Sequence, residues 1–171
     1  MTETFHLSSA AGGGYEMGEN VGYLVARVTS TLMNLVTQRT QAELDITATQ
    51  GRTLYMVASG RCVLAVELAR EFGIDASAVT RLIDRLAQRK LLTRERSTAD
   101  RRVVRLAVTP EGQDIAAQMP VIFNEVLDRL LSGFTPEEVG FLKNMLRRLL
   151  VNHADFIEKN HVTATNFDRK S

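Results

Sequence analysis

Ser77, Thr80, Arg81, Asp84, Arg85 and Gln88 recur at separations of three and four, a spacing that puts them on one face of a single helix. All but the acid carry hydrogen-bond donors. A helix fits the major groove of duplex DNA, where arginine bonds guanine bidentately and serine or threonine reaches bases or phosphates. Arg81, near the start of that helix, is the candidate base reader. Phosphate repels a carboxylate, so Asp84 is expected to orient Arg81 or Arg85 rather than touch DNA. Farther along stand Arg94 and the run Asp100-Arg101-Arg102. Paired guanidiniums beside one acid suit a projecting tip: Asp100 holds one arginine, and the other is free to enter a narrow minor groove.

The charge of the chain is distributed to match. Residues 76–105 carry nine Lys or Arg against three Asp or Glu, a net +6, while the rest of the chain carries −5 and the total is only +1. A general polycation is thereby excluded, and a localised nucleic-acid footprint is indicated.

Elements that could position these residues follow from hydrophobic periodicity. Val21, Leu24, Val25, Val28, Leu32, Leu35 and Val36 form one face of a first helix over about 19–43. Thr47 caps a second, with Leu54, Val57 and Ala58 inside and Ser59-Gly60 as its stop. A short strand is expected over 62–64. Ala65, Leu68, Ala69 and Phe72 make a third helix ending at Gly73, and Asp75 caps a fourth whose buried face is Val79, Leu82, Ile83, Leu86 and Ala87. Two short helices joined by a tight glycine-containing turn are a helix-turn-helix. The β-prone runs 91–96 and 103–108 form a hairpin with a basic tip.

Thr109-Pro110 opens a fifth helix, which Pro120 should bend. Thr135 and Glu138 form the capping box of a last helix reaching Ile157 or beyond. The expected fold is mainly α with a small β-hairpin wing. A winged helix-turn-helix at 47–109 lies between dimerisation helices at 19–46 and 110–160, with a flexible arm at 1–18 and a tail at 161–171. Dimerisation is expected because the long flanking helices carry apolar faces that one chain cannot cover.

The order and spacing of Leu68-Ala69, Gly73-Ile74, Ser77, Val79-Thr80-Arg81-Leu82, Asp84-Arg85-Leu86, Leu91-Leu92, Arg94, Asp100-Arg101-Arg102, Leu106 and Thr109-Pro110-Glu111-Gly112 resemble the MarR family of bacterial regulators. The likeness covers about fifty residues closely and the outline of most of the chain. It implies a homodimer joined by its terminal helices, with the fourth helix in the major groove and Arg102 of the wing in the minor groove of an inverted-repeat operator. It also implies repression relieved by a small aromatic acid or phenol. Two positions depart from the family's pattern. Gly51 stands where a bulky aromatic is common, which could enlarge a pocket between the first two helices and the reading unit, and Lys90 stands where glycine usually precedes the wing. Asn34, Thr49 and Arg52 are the candidate ligand contacts.

Other chemistries find little support. His6, His153 and His161 are too scattered for a metal site, and no nucleophile–base pair or phosphate-cradling loop is visible, so neither metal, cofactor nor catalysis is expected. The glycine run at 12–14 lacks the strand and lysine of a phosphate loop and reads as a linker. No apolar run approaches a membrane span and no secretory start is seen, so a cytoplasmic protein without membrane contact is expected. Two alternatives stay open: an oxidant-sensing repressor acting through Cys62, the single cysteine, and a winged-helix module whose basic face meets an acidic protein.

Overall fold

Among the described residues, 17–96 and 103–167 of a computed structural model, six helices and one two-stranded ribbon follow in chain order. Side-chain surroundings are described over 18–96 and 103–153. The chain divides into two units, 1–127 and 128–171.

Within the first unit, α1 (Val21–Leu44) begins where Asn20 Oδ1 accepts the Tyr23 amide at 3.0 Å, satisfying one donor that a helix start leaves orphaned. The turn out of α1 needs Asp45 in the left-handed region, φ 51°. Thr40, fully buried, donates its hydroxyl to the Ile46 carbonyl at 2.8 Å, so the turn leaves neither group unsatisfied. The expected cap of α2 (Ala48–Ala58) is a complete capping box: Thr47 N–H donates to Gln50 Oε1 at 2.9 Å, and Gln50 N–H to Thr47 Oγ1 at 3.2 Å.

No strand forms at 62–64. Instead the Val63 carbonyl accepts a single hydrogen bond from Leu106 N–H at 2.8 Å, because Glu67 Oε2 already takes the Val63 and Leu64 amides at 2.7 and 2.9 Å and turns the chain into α3 (Ala65–Phe72). Gly73, φ 63°, closes that helix, and Asp75 Oδ1 opens α4 (Ala76–Gln88) by accepting the Ala78 amide at 2.8 Å. Leu68, Val79, Ile83 and Leu86 are buried, so the apolar stripes of the two helices meet in the core.

At the end of α4 the Leu91 amide bonds the Leu86 carbonyl at 3.0 Å and the Lys90 amide the Ala87 carbonyl at 2.9 Å, the paired bonds of a Schellman motif. Its left-handed residue is Lys90, φ 59°. That explains why glycine is the natural occupant there. The ribbon follows, β1 (Leu92–Arg96) antiparallel to β2 (Val104–Val108), with Leu92 opposite Val108 and Arg96 opposite Val104.

α5 (Pro110–Leu130) continues unbroken through Pro120. Thr109 Oγ1 accepts the Gly112 amide at 3.1 Å and donates to the Lys90 carbonyl at 2.8 Å, fastening the wing's two ends together. A Cβ on Gly112 would sit 2.0 Å from the Leu91 carbonyl oxygen. Only glycine permits that approach.

In the second unit, Thr135 and Glu138 form the expected capping box of α6 (Pro136–Phe167). The helix runs to Phe167, so the expected boundary at 160 falls inside it. The expected arm overlaps the described residues only at a 3-10 turn, Met17–Glu19; residues 1–16 lie outside them. Among the described residues no helix is long and apolar enough to cross a membrane.

Candidate nucleic-acid interface

Ser77, Thr80, Arg81, Arg85 and Gln88 are all exposed on α4, opposite the buried Val79, Ile83 and Leu86, and Asp84 is half-buried. Asp75, already the helix cap, also accepts the Ser77 hydroxyl at 2.5 Å, and Arg81 Nη1 donates to Ser77 Oγ at 3.0 Å. The result is a relay of Asp75, Ser77 and Arg81 that draws the Arg81 guanidinium toward the first turn of the helix. The Ser77 hydroxyl, then the Ala78 amide, hold the Asp75 carboxyl below its ordinary pKa, keeping it charged. Thr80 donates to the Ala76 carbonyl at 2.8 Å. Its hydroxyl proton is therefore taken up by the helix, which leaves the oxygen as an acceptor.

The expectation for Asp84 needs correction. Its Oδ1 lies 2.6 Å from Nη2 of Arg94 on β1, so it steadies the wing strand and not Arg81 or Arg85. The acid that orders Arg81 is Asp75, acting through Ser77. Sequence reasoning gave Asp75 only a capping role, although acid, serine and arginine separated by two and then four residues was a legible signal. At the other end of α4, Arg89 Nη2 lies 3.3 Å from Asp45 Oδ2 and ties the helix to the turn between α1 and α2. Asp100, Arg101 and Arg102 lie outside the described residues.

Away from this face, a cavity of about 370 Å³ lies between α1, α2 and α5. Leu32, Met33, Met56, Met119 and Phe123 form apolar walls, with Thr29, Tyr55 and Asn124 adding polar groups and Arg52, among the described residues, the one formal charge of the lining. Of the three expected ligand contacts only Arg52 lines it. Asn34 and Thr49 are exposed elsewhere on their helices, because the helical period puts Thr29, Leu32 and Met33 of α1 and Arg52, Tyr55 and Met56 of α2 on the cavity side. The space opened by Gly51 is not empty: a Cβ there would lie 2.3 Å from Met119 Sδ and 3.1 Å from Ile46 Cδ1. Met119 of α5 fills the notch and carries the cavity to α5, rather than to the reading unit.

Cys62 is buried, and burial, then the nearby Glu71 and Glu67, push its thiol pKa up. Less thiolate means a poorer nucleophile toward peroxide.

Comparison with known proteins accords with this geometry. The MarR family model matches residues 44–103. The multiple antibiotic resistance protein MarR of Salmonella typhimurium is 33% identical over 108 residues, 63% of this chain and 75% of that protein. A mutant E. coli MarR complexed with operator DNA superposes with a TM-score of 0.67 at 28% identity, covering 75% of this chain and 92% of that one. Bordetella bronchiseptica BpsR, whose DNA binding is regulated by 6-hydroxynicotinic acid, superposes with a TM-score of 0.67 at 27% identity over 80% of this chain and 97% of that one. Helix-turn-helix, wing, flanking helices and sequence similarity together place this chain in the MarR family of winged helix-turn-helix transcriptional regulators.

Proposed function

We propose that this regulator is a homodimeric, ligand-responsive repressor that lays α4 in the major groove of an inverted-repeat operator. The observation that carries the reading is the exposed donor face of α4 with Arg81 held toward its N-terminal turn, the end of a recognition helix that meets base edges. Arg81 reads guanine with Ser77 positioning it, Arg85 and Gln88 contact neighbouring bases or phosphates, and the Thr80 methyl meets a thymine methyl. Arg94 supplies phosphate contact, and Arg102, steadied with Arg101 by Asp100, probes the minor groove.

Exposed Val21, Leu24, Val25 and Val28 on α1, and exposed Phe141, Leu149 and Leu150 on α6, favour a second copy as the cover for each of these faces. The α1, α2 and α5 cavity, apolar with one guanidinium, suits a small aromatic acid or phenol and is within the size of known ligand pockets, about 300–1,000 Å³. Its ligand acts by shifting the population of dimers whose reading heads fit the operator. Regulation of BpsR DNA binding by 6-hydroxynicotinic acid supports ligand control here. The protein acts in the cytoplasm, with its DNA.

Selection from a random duplex pool tests the DNA-reading claim. An inverted repeat with half-site centres about 34–36 Å apart is expected. Enrichment of no inverted repeat would overturn the reading and favour a basic face that meets protein.

A further inference from the structure

The Arg52 guanidinium has two sets of neighbours. It lines the α1, α2 and α5 cavity, and it reaches across to the end of α3, where Nη2 lies 2.9 Å from Glu71 Oε1 and the guanidinium carbon sits 4.6 Å from the centre of the Phe72 ring. Glu71 and Phe72 are the last two residues of α3. Gly73 in the left-handed region and the Asp75 cap follow at once, so a shift at Phe72 passes through a three-residue turn into α4.

We propose that Arg52 is a latch between the cavity and the helix-turn-helix, and that an aromatic carboxylate in the cavity opens it by taking the guanidinium from Glu71. The inference rests on the reading of the cavity as an aromatic-acid site. The competition follows from chemistry: Glu71 holds the guanidinium through Nη2 alone, and a carboxylate that takes the guanidinium fork bidentately offers two charge-assisted bonds in place of one. The pair it leaves is weak enough to exchange, since the Arg52 and Glu71 side chains are 35% and 44% exposed and such pairs contribute about 0–1 kcal/mol. Among the described residues no other lining side chain carries a positive charge, so a bound carboxylate has Arg52 to recruit. A neutral occupant has no call on the latch. Release of Arg52 also removes its stacking on Phe72, and the end of α3 loses both ties to α2 together.

The test uses the full chain, benzoate as the carboxylate probe and benzamide as its neutral counterpart. Calorimetry measures affinity, and backbone hydrogen exchange over 69–74 reports the end of α3. In the unmodified chain benzoate should bind and speed exchange in that segment, whereas benzamide should leave it unchanged. Glu71→Gln keeps the side-chain volume and removes the competing charge. It should bind benzoate about two- to fivefold more tightly, the equivalent of the lost ion pair, and its segment should exchange fast with or without benzoate. A latch with a merely structural role would not tighten benzoate. Benzoate binding with unchanged exchange in the unmodified chain, or with unchanged affinity in Glu71→Gln, overturns the latch and leaves the cavity reading standing. Absence of benzoate binding in both proteins overturns the two together.

Discussion

Arg94 Nη2 on β1 lies 2.6 Å from Oδ1 of Asp84 on α4, joining the wing strand to the reading helix by one ion pair. Both side chains are about half exposed, 42% and 45%, so the pair adds at most about 1 kcal/mol to stability. Its larger effect is on the field met by DNA. Asp84→Asn should remove a repulsive charge and release Arg94 to phosphate, tightening binding to an unrelated duplex by about two- to tenfold at low salt and steepening the salt slope by about one ion. Arg94→Ala should do the reverse, weakening all sequences alike. Anisotropy titrations across a salt series measure both, and an Asp84→Asn protein that binds more weakly would refute the assignment.

Gly51 and Met119 divide one volume between helix and cavity. In Gly51→Ala the new Cβ would stand 2.3 Å from Met119 Sδ, and the thioether is expected to yield into the cavity it already lines. Better helix propensity, about 1 kcal/mol, offsets the packing cost. The midpoint of urea unfolding should therefore stay nearly unchanged while benzoate binds more weakly. Equal benzoate affinity in the two proteins would show that Met119 does not set the cavity's size.

Lys90 occupies the left-handed position of a Schellman motif with φ 59°. Lys90→Gly relieves a steric cost of about 1–2 kcal/mol, partly offset by the greater freedom of glycine in the unfolded chain. A net gain of about 1 kcal/mol should appear in thermal denaturation. A lower melting temperature would mean that the lysine side chain contributes more to the fold than its backbone conformation costs.

The Asp75 carboxyl is held below its ordinary pKa by Ser77 and then by the Ala78 amide. A depressed folded-state pKa stabilises the protein above the unfolded value, and that contribution fades as pH falls through the folded one. Unfolding midpoints followed from about pH 5 down to pH 2 should therefore fall less steeply in Asp75→Asn, which keeps a capping side chain and cannot titrate. Parallel pH profiles for the two proteins would remove Asp75 as a contributor to acid sensitivity.

Most elements were legible because their signals are local. Thr47 with Gln50, Asp75, Thr135 with Glu138, and Gly73 mark helix ends through bonds within a few residues. The exposed face of α4 was equally legible from its 3.6-residue period. What escaped depends on residues far apart in sequence. Asp84 chooses Arg94 because the ribbon folds back along α4, and Met119 enters the Gly51 notch from α5; periodicity within either element says nothing of its neighbour. For the same reason Asn34 and Thr49 were expected at a cavity whose walls come from three separated helices.

Base reading by Arg81 is decided by the affinity of Arg81→Ala for the selected operator and for single-base variants of it. A loss of about 1–3 kcal/mol is expected, with loss of discrimination at one guanine in each half-site. Unchanged affinity with the same base preference would contradict it.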